Sequence, residues 1–201
     1  EDLLVLKNNK GTEDNRIRHL DYGVQFNKVM YERLLAGANI TLFSPNDVPE
    51  LYDNFFVDCD KFRTLYEAAE NNPSIRKKSI PAIELFSAFM QERKDTGRIY
   101  LQNVDHANDH GSFIKEVAPI RQSNLCCEID LPTKPLNDIN DENGEISLCT
   151  LAAINWGKIR DPADFERPCT LAVRALDELL DYQDYPVLAA RNSTMARRPL
   201  G

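Results

Sequence analysis

The stretch Ser123-Asn-Leu-Cys-Cys-Glu-Ile-Asp-Leu-Pro132 gathers a thiol, a carboxylate and an amide within a few residues. It also alternates. Read as a β-strand, it puts Asn124, Cys126, Glu128 and Asp130 on one face and Leu125, Cys127, Ile129 and Leu131 on the other. Side chains on one face then sit about 6.6 Å apart at Cα, from a rise of about 3.3 Å per residue. A row that close can reach a single small molecule. The carboxylate can take a proton, the thiol can act as a nucleophile or a radical, and the amide can hold hydroxyls. The pattern alone favours a simpler reading, a half-buried strand with an incidental cysteine pair, because cysteine is commonly buried.

A wider comparison changes that balance. Arg121-Gln-Ser-Asn-Leu-Cys126, Glu128, and the run from Leu131-Pro-Thr-Lys-Pro to Leu148-Cys149-Thr150 closely resemble the large catalytic subunit of the aerobic class I ribonucleotide reductases. Leu3-Leu-Val-Leu-Lys-Asn-Asn9, Arg98-Ile-Tyr-Leu-Gln-Asn-Val-Asp-His106 and Leu180-Asp-Tyr-Gln-Asp-Tyr-Pro186 also resemble that family. The likeness runs over essentially all 201 residues and covers only the middle of the family's chain.

The resemblance implies a fold, part of a ten-stranded α/β barrel with Cys126 on a finger loop. It implies roles as well. A thiyl radical on Cys126 removes the 3′ hydrogen of a ribonucleoside diphosphate, and Glu128 takes the 3′-hydroxyl proton. Asn124 hydrogen-bonds the sugar hydroxyls, with Ser123 beside it in substrate binding. Cys149 is half of the pair that delivers two electrons and closes to a disulfide. The radical is generated in a separate small subunit, which holds the radical cofactor, so no cofactor and no metal is expected in this segment. Further implied partners are a second large subunit in a homodimer, nucleotide effectors, and thioredoxin or glutaredoxin. The other redox cysteine, the effector site and the activity region are expected before residue 1. The radical-carrying tyrosine pair, the phosphate-gripping loop and the shuttle cysteines are expected after residue 201; Tyr182 and Tyr185 do not match that pair. Cys127 departs from the family, standing where an apolar residue such as Leu is expected, and alternation points it away from the substrate face. Pro168 and Pro199 are also unusual for it.

Composition is consistent with a soluble, cytoplasmic piece of one partial domain spanning 1–201. Charged residues make up 28% and the net charge is −8, against a nucleic-acid partner held through phosphates. No apolar run approaches the roughly 20 residues of a membrane span. Residue 1 is Glu and no signal peptide precedes it, as expected for a chain that begins inside a longer protein. Five cysteines, Cys59, Cys126, Cys127, Cys149 and Cys169, form no disulfide framework and suit a reducing compartment. Two other functions are compatible with the residues. One is a non-catalytic fragment that only assembles with other reductase pieces. The other is a cysteine hydrolase using Cys126, which needs one of His19, His106 or His110 as base.

The elements that would carry these residues read as mixed α/β. Residues 1–9 look like the end of a helix, followed by a polar loop from Thr12 to Arg18. Leu20, Tyr22, Val24 and Phe26 alternate as a strand; Val29, Met30, Leu34 and Leu35 space as a helix ended by Gly37; Ile40 to Phe43 is a short strand. That rhythm predicts a parallel arrangement. Asp47 with Pro49 starts a helix, 58–71 is helical, and Ser79 with Pro81 opens a helix closed by Gly97. Arg98 to Val104 is a strand, and Asp105 to Phe113 a polar loop whose histidines read as loop residues. An acidic loop from Pro132 to Gly144 turns at Asn143-Gly144 and is solvated, its spacing not that of a calcium loop. Ile146 to Ile154 is strand-like or mixed. A helical region starts at Asp161-Pro162 and ends near Tyr182, and the basic tail from Ala189 lacks periodicity.

Overall fold

A computed structural model describes residues 21–201. The expected helix end at 1–9, the Thr12–Arg18 loop, His19 and Leu20 lie outside the described residues. The chain divides into two compact units, one ending at Asp130 and one beginning at Leu131.

The first unit runs β1 (Tyr22–Phe26), α1 (Lys28–Leu35), β2 (Asn39–Phe43), α2 (Pro49–Phe55), α3 (Cys59–Asn71), β3 (Lys77–Pro81), α4 (Ala82–Thr96), β4 (Ile99–Asn103) and α5 (Val104–Asp109). β1 pairs in parallel with β4, Gly23 opposite Tyr100 and Gln25 opposite Gln102. β2 pairs antiparallel with β3. The parallel rhythm expected from β1, α1 and β2 is therefore met by β4 rather than β2. The difference lies at Ser79 and Pro81. Ser79 lies inside β3, while Pro81 both ends β3 and stands at the N-cap of α4; the Ser79 hydroxyl faces Thr41 Oγ1 across the pair at 2.8 Å.

Period two in β1 and β4 sorts their side chains onto two faces. Tyr22, Val24 and Phe26, with Ile99 and Leu101, turn toward Ile40, Ala82, Leu85, Phe86 and Phe89. The Phe26 and Phe86 rings stack at 4.8 Å. Fully burying each such side chain is worth about 1.5–3 kcal/mol. Alternation leaves Gly23, Gln25, Tyr100 and Gln102 on the opposite face. A second cluster, Val29, Leu51, Phe62 and Tyr66, joins α1 to α2 and α3.

Helix ends follow local chemistry. Asn27 caps α1 by accepting from the Met30 N–H at 3.3 Å, and Asp58 caps α3 by accepting from Lys61 at 2.9 Å. Gly37 (φ 62°) and Gly97 (φ 67°) take the left-handed conformation that stops α1 and α4, as their positions predicted. Asp47 does not cap α2; it pairs with Arg76 at 3.4 Å. The segment read as a polar loop after Val104 is helix α5. Its buried Asn108 donates to the Val104 and Ile120 carbonyls at 2.9 Å and accepts from the Ile120 N–H at 2.8 Å.

In the second unit, Lys134 and Glu145 exchange both backbone hydrogen bonds at 3.1 Å and close a long loop. Its tip turns through the Asp141 N–H to Asp138 carbonyl bond, ahead of the expected Asn143-Gly144 turn, with Asp141 accepting from Asn137 and Asn143. Two 3₁₀ turns, Trp156–Lys158 and Pro162–Phe165, precede α6 (Glu166–Tyr182) and α7 (Leu188–Arg197). Pro168 sits in the first turn of α6, where its missing N–H costs nothing. Along α6, Leu176 and Leu180 are buried while Leu171 and Leu179 are exposed. Ile146 to Ile154 forms no strand; Thr150 makes an isolated parallel bridge to Leu200. The tail read as aperiodic holds α7, whose buried face is Ala189, Ala190, Ser193 and Thr194. The described strands thus form two two-stranded sheets in a mixed α/β chain rather than a closed barrel.

Candidate active site

Residues 121–130 form a tight loop lying against the Gln25 and Gln102 face of β1 and β4. Ser123 and Asp130 bridge antiparallel at its base, and the Asn124 N–H donates to the Ile129 carbonyl at 3.3 Å. The Cys127 N–H donates to the Asn124 carbonyl at 3.1 Å, closing a turn over Leu125 and Cys126. Cys127 is left-handed at φ 59°. The continuous strand expected from alternation is therefore absent. Leu125 is exposed instead of buried on an apolar face.

The turn nonetheless gathers the expected groups by another route. Asn124 Oδ1 accepts from the Glu128 and Ile129 N–H groups at 3.2 and 3.1 Å, and Asn124 Nδ2 donates to Glu128 Oε1. Amide and carboxylate are joined across the turn, four residues apart. Ser123 Oγ donates to the Asn124 carbonyl at 2.8 Å. Cys126 stands exposed at the tip, its thiol close enough to the Tyr100 hydroxyl to shift its pKa. The Cys126 sulfur, chiefly by its charge, pushes Tyr100 up; burial, Asp21 and Glu128 act the same way. Tyr100 consequently keeps its proton at neutral pH and remains a donor. The loop can thus offer a thiol, a carboxylate and two donors to one ligand.

Cys127 does not turn away from this region. It lines a polar cleft of about 300 Å³ with Gly23, Gln25, Gln102, Ser123 and Asn124. The positive φ, not strand alternation, sets its direction. Beneath the loop, Asp130 accepts from Gln102 Nε2 at 2.6 Å. Burial pushes the Asp130 carboxyl up, and the Gln102 bond partly offsets it.

Cys149 lies in the second unit, one residue before the Thr150 bridge. It is half-buried with its sulfur against Gly201, where a Cβ would come within 2.8 Å. His106 and His110, four apart, face each other with ring centres 5.5 Å apart. They line a separate cleft with Lys28, Asp105 and Asp109. Among the described residues, no group of three or more His, Cys, Asp or Glu side chains could hold a metal ion. No helix of the described residues is long and apolar enough to cross a membrane.

The family model described as "Ribonucleotide reductase, barrel domain" matches residues 1–201. The chain belongs to that family. This ribonucleotide reductase barrel segment is 65% identical over its full length to "Ribonucleoside-diphosphate reductase subunit alpha" of Haemophilus influenzae, covering 27% of that protein. It is 64% identical to "Ribonucleoside-diphosphate reductase 1 subunit alpha" of Escherichia coli, covering 26%. Against "Ribonucleoside-diphosphate reductase large subunit" of Plasmodium falciparum the identity is 31%, with 24% of that protein covered. The chain thus spans about a quarter of the length of the curated relatives it matches.

Sequence reasoning passed over Tyr100, Gln25, Gln102 and Asn108. A signal for two of them was present. Residues 98–104 read correctly as a strand, and alternation there sets Tyr100 and Gln102 on one face against Ile99 and Leu101 on the other. A tyrosine and an amide on the polar face of the strand preceding a thiol-bearing loop are groups that such a loop can use.

Proposed function

We propose that these residues are part of the catalytic subunit of a cytoplasmic ribonucleoside-diphosphate reductase, and that the 121–130 loop carries its radical chemistry. The observation that carries the reading is the turn itself. It presents the Cys126 thiol at its tip and holds the Asn124 amide against the Glu128 carboxylate at its base.

In this reading a thiyl radical on Cys126, produced by radical transfer from a small partner subunit, takes the 3′ hydrogen of a ribonucleoside diphosphate. Glu128 accepts the 3′-hydroxyl proton, which helps the 2′-hydroxyl leave as water. Two thiols, Cys149 and a second cysteine, supply two electrons and two protons and close to a disulfide; Cys126 returns its hydrogen to the 3′ carbon. Asn124 and Ser123 orient the sugar hydroxyls. Most of the Asn124 amide is committed within the loop, so its remaining N–H and the Glu128 carboxylate form one binding unit. Effectors, thioredoxin or glutaredoxin, and a second large subunit act through other parts of the protein. Among the described residues the hydrolase alternative finds no histidine base: Cys126 lies near Tyr100, and His106 and His110 line a different cleft.

The test uses the complete catalytic subunit with its radical-generating partner. Cys126→Ala is expected to abolish deoxynucleotide formation while leaving the circular dichroism spectrum and melting temperature unchanged. Retained turnover by that variant refutes the reading.

A further inference from the structure

The face of β1 and β4 under the cysteine loop carries a polar ladder, and each rung meets the loop. Gln25 Nε2 donates to Gln102 Oε1 at 2.7 Å and to the Arg121 carbonyl at 2.8 Å. Gln102 Nε2 donates onward to Asp130 Oδ1 at 2.6 Å. Arg121 and Asp130 are the two ends of the loop. One residue earlier, Asn108 holds Ile120 through both its N–H and its carbonyl. Gln102 and Asn108 are buried. In the next rung, Gly23 faces Tyr100 and offers no side chain, while Tyr100 reaches Cys126 at the tip.

We infer that the Gln25–Gln102 amide pair is a positioning device that sets the place of the Cys126 sulfur by clamping both ends of its loop to the sheet. The inference rests on the role proposed above for Cys126 and adds the residues that aim it. Two amides in series have a defined polarity. Each Nε2 points toward the loop, and the Gln102 oxygen is consumed by Gln25. The pair therefore reads a carbonyl at one loop end and a carboxylate at the other. A buried amide left without its partner costs free energy, so the clamp resists opening. A fixed loop base determines where the tip thiol lies, and hydrogen transfer is steep in that distance. The hydrogen bonds of Gln25 and Gln102 go to each other and to the two loop ends, not to Cys126; they act on its sulfur through the loop.

The test again uses the complete catalytic subunit and its radical-generating partner. Gln102→Glu sets a carboxylate against Asp130 and breaks the clamp, while leaving an acceptor for Gln25. It is expected to lower kcat by about ten- to a hundredfold with KM unchanged. It is also expected to enlarge the isotope effect seen with 3′-deuterated substrate, because hydrogen transfer becomes limiting. Combining Gln102→Glu with Asp130→Asn restores one donor and one acceptor in reversed order, and should bring kcat and the isotope effect back toward the parent. A merely structural amide would change stability without moving the isotope effect. Should Gln102→Glu not fold, Asp130→Leu opens the clamp from the loop side with the same expected readouts. Parental kcat and isotope effect in the single variant, or a double variant no better than the single, overturns the inference. Cys126→Ala runs alongside: activity there means the site reading has failed, whereas its loss beside an unaffected Gln102→Glu means that only the clamp has.

Discussion

Cys127 shows how one backbone angle decides the site. A non-glycine residue at φ 59° is held at a cost of about 1–2 kcal/mol, and here it lets the chain reverse between Cys126 and Glu128. Relief of that cost is measurable. Cys127→Gly should equal or exceed the parent in stability, whereas Cys127→Val, β-branched and least tolerant of positive φ, should fall about 1–2 kcal/mol below the glycine variant in chemical denaturation. Equal midpoints for the two would show that the turn does not depend on this conformation. The same angle explains what the sequence concealed. Left-handed turns are usually announced by Gly, Asn or Asp, and this one is made at a cysteine inside an alternating run. Asn124 and Glu128 were legible as partners from their types and the family likeness. Their meeting across a turn rather than along a strand was not.

Among elements, the helices with conventional stops were readable. α1 and α4 end where Gly37 and Gly97 allow, and Asp58 opens α3. α7 was hidden because the face it buries, Ala189, Ala190, Ser193 and Thr194, is small and partly polar and leaves no hydrophobic period. An ion cluster ties that helix to the acidic loop. Glu145 pairs with Arg197 of α7 at 2.7 Å and with Lys134 at 2.9 Å. Burial alone would raise the Glu145 carboxyl, but the bonds from Arg197 and Lys134 prevail and hold it below its ordinary range. A carboxyl depressed in the folded state stabilises above its unfolded pKa, and that contribution disappears as pH falls through the folded value. Glu145→Gln should therefore lower stability at pH 7 by about 1–3 kcal/mol. The gap between parent and variant should shrink below about pH 4. Urea denaturation at both pH values measures it; a gap that widens on acidification contradicts the assignment.

At the level of the molecule, exposed apolar side chains are numerous: Leu35 at 87%, Val117 at 77% and Tyr182 at 89%, and also Trp156, Leu151 and Ile114. This chain covers about a quarter of its relatives' length. A polypeptide of these 201 residues, mixed with the small subunit and substrate, is accordingly expected to form no deoxynucleotide; detectable product would refute that. The barrel was legible only through family likeness, since local pattern gives strands but not the distant partners that close a sheet. Distance along the chain also governs time. Gln25 and Gln102 are separated by 77 residues, so the two strands must find each other across a long excursion before either amide has its partner. Contacts of such long range form slowly. During synthesis the cysteine loop therefore emerges before the ribbon beneath it has necessarily zipped, and its reactive sulfur is shaped late, when the rest of the sheet is already in place.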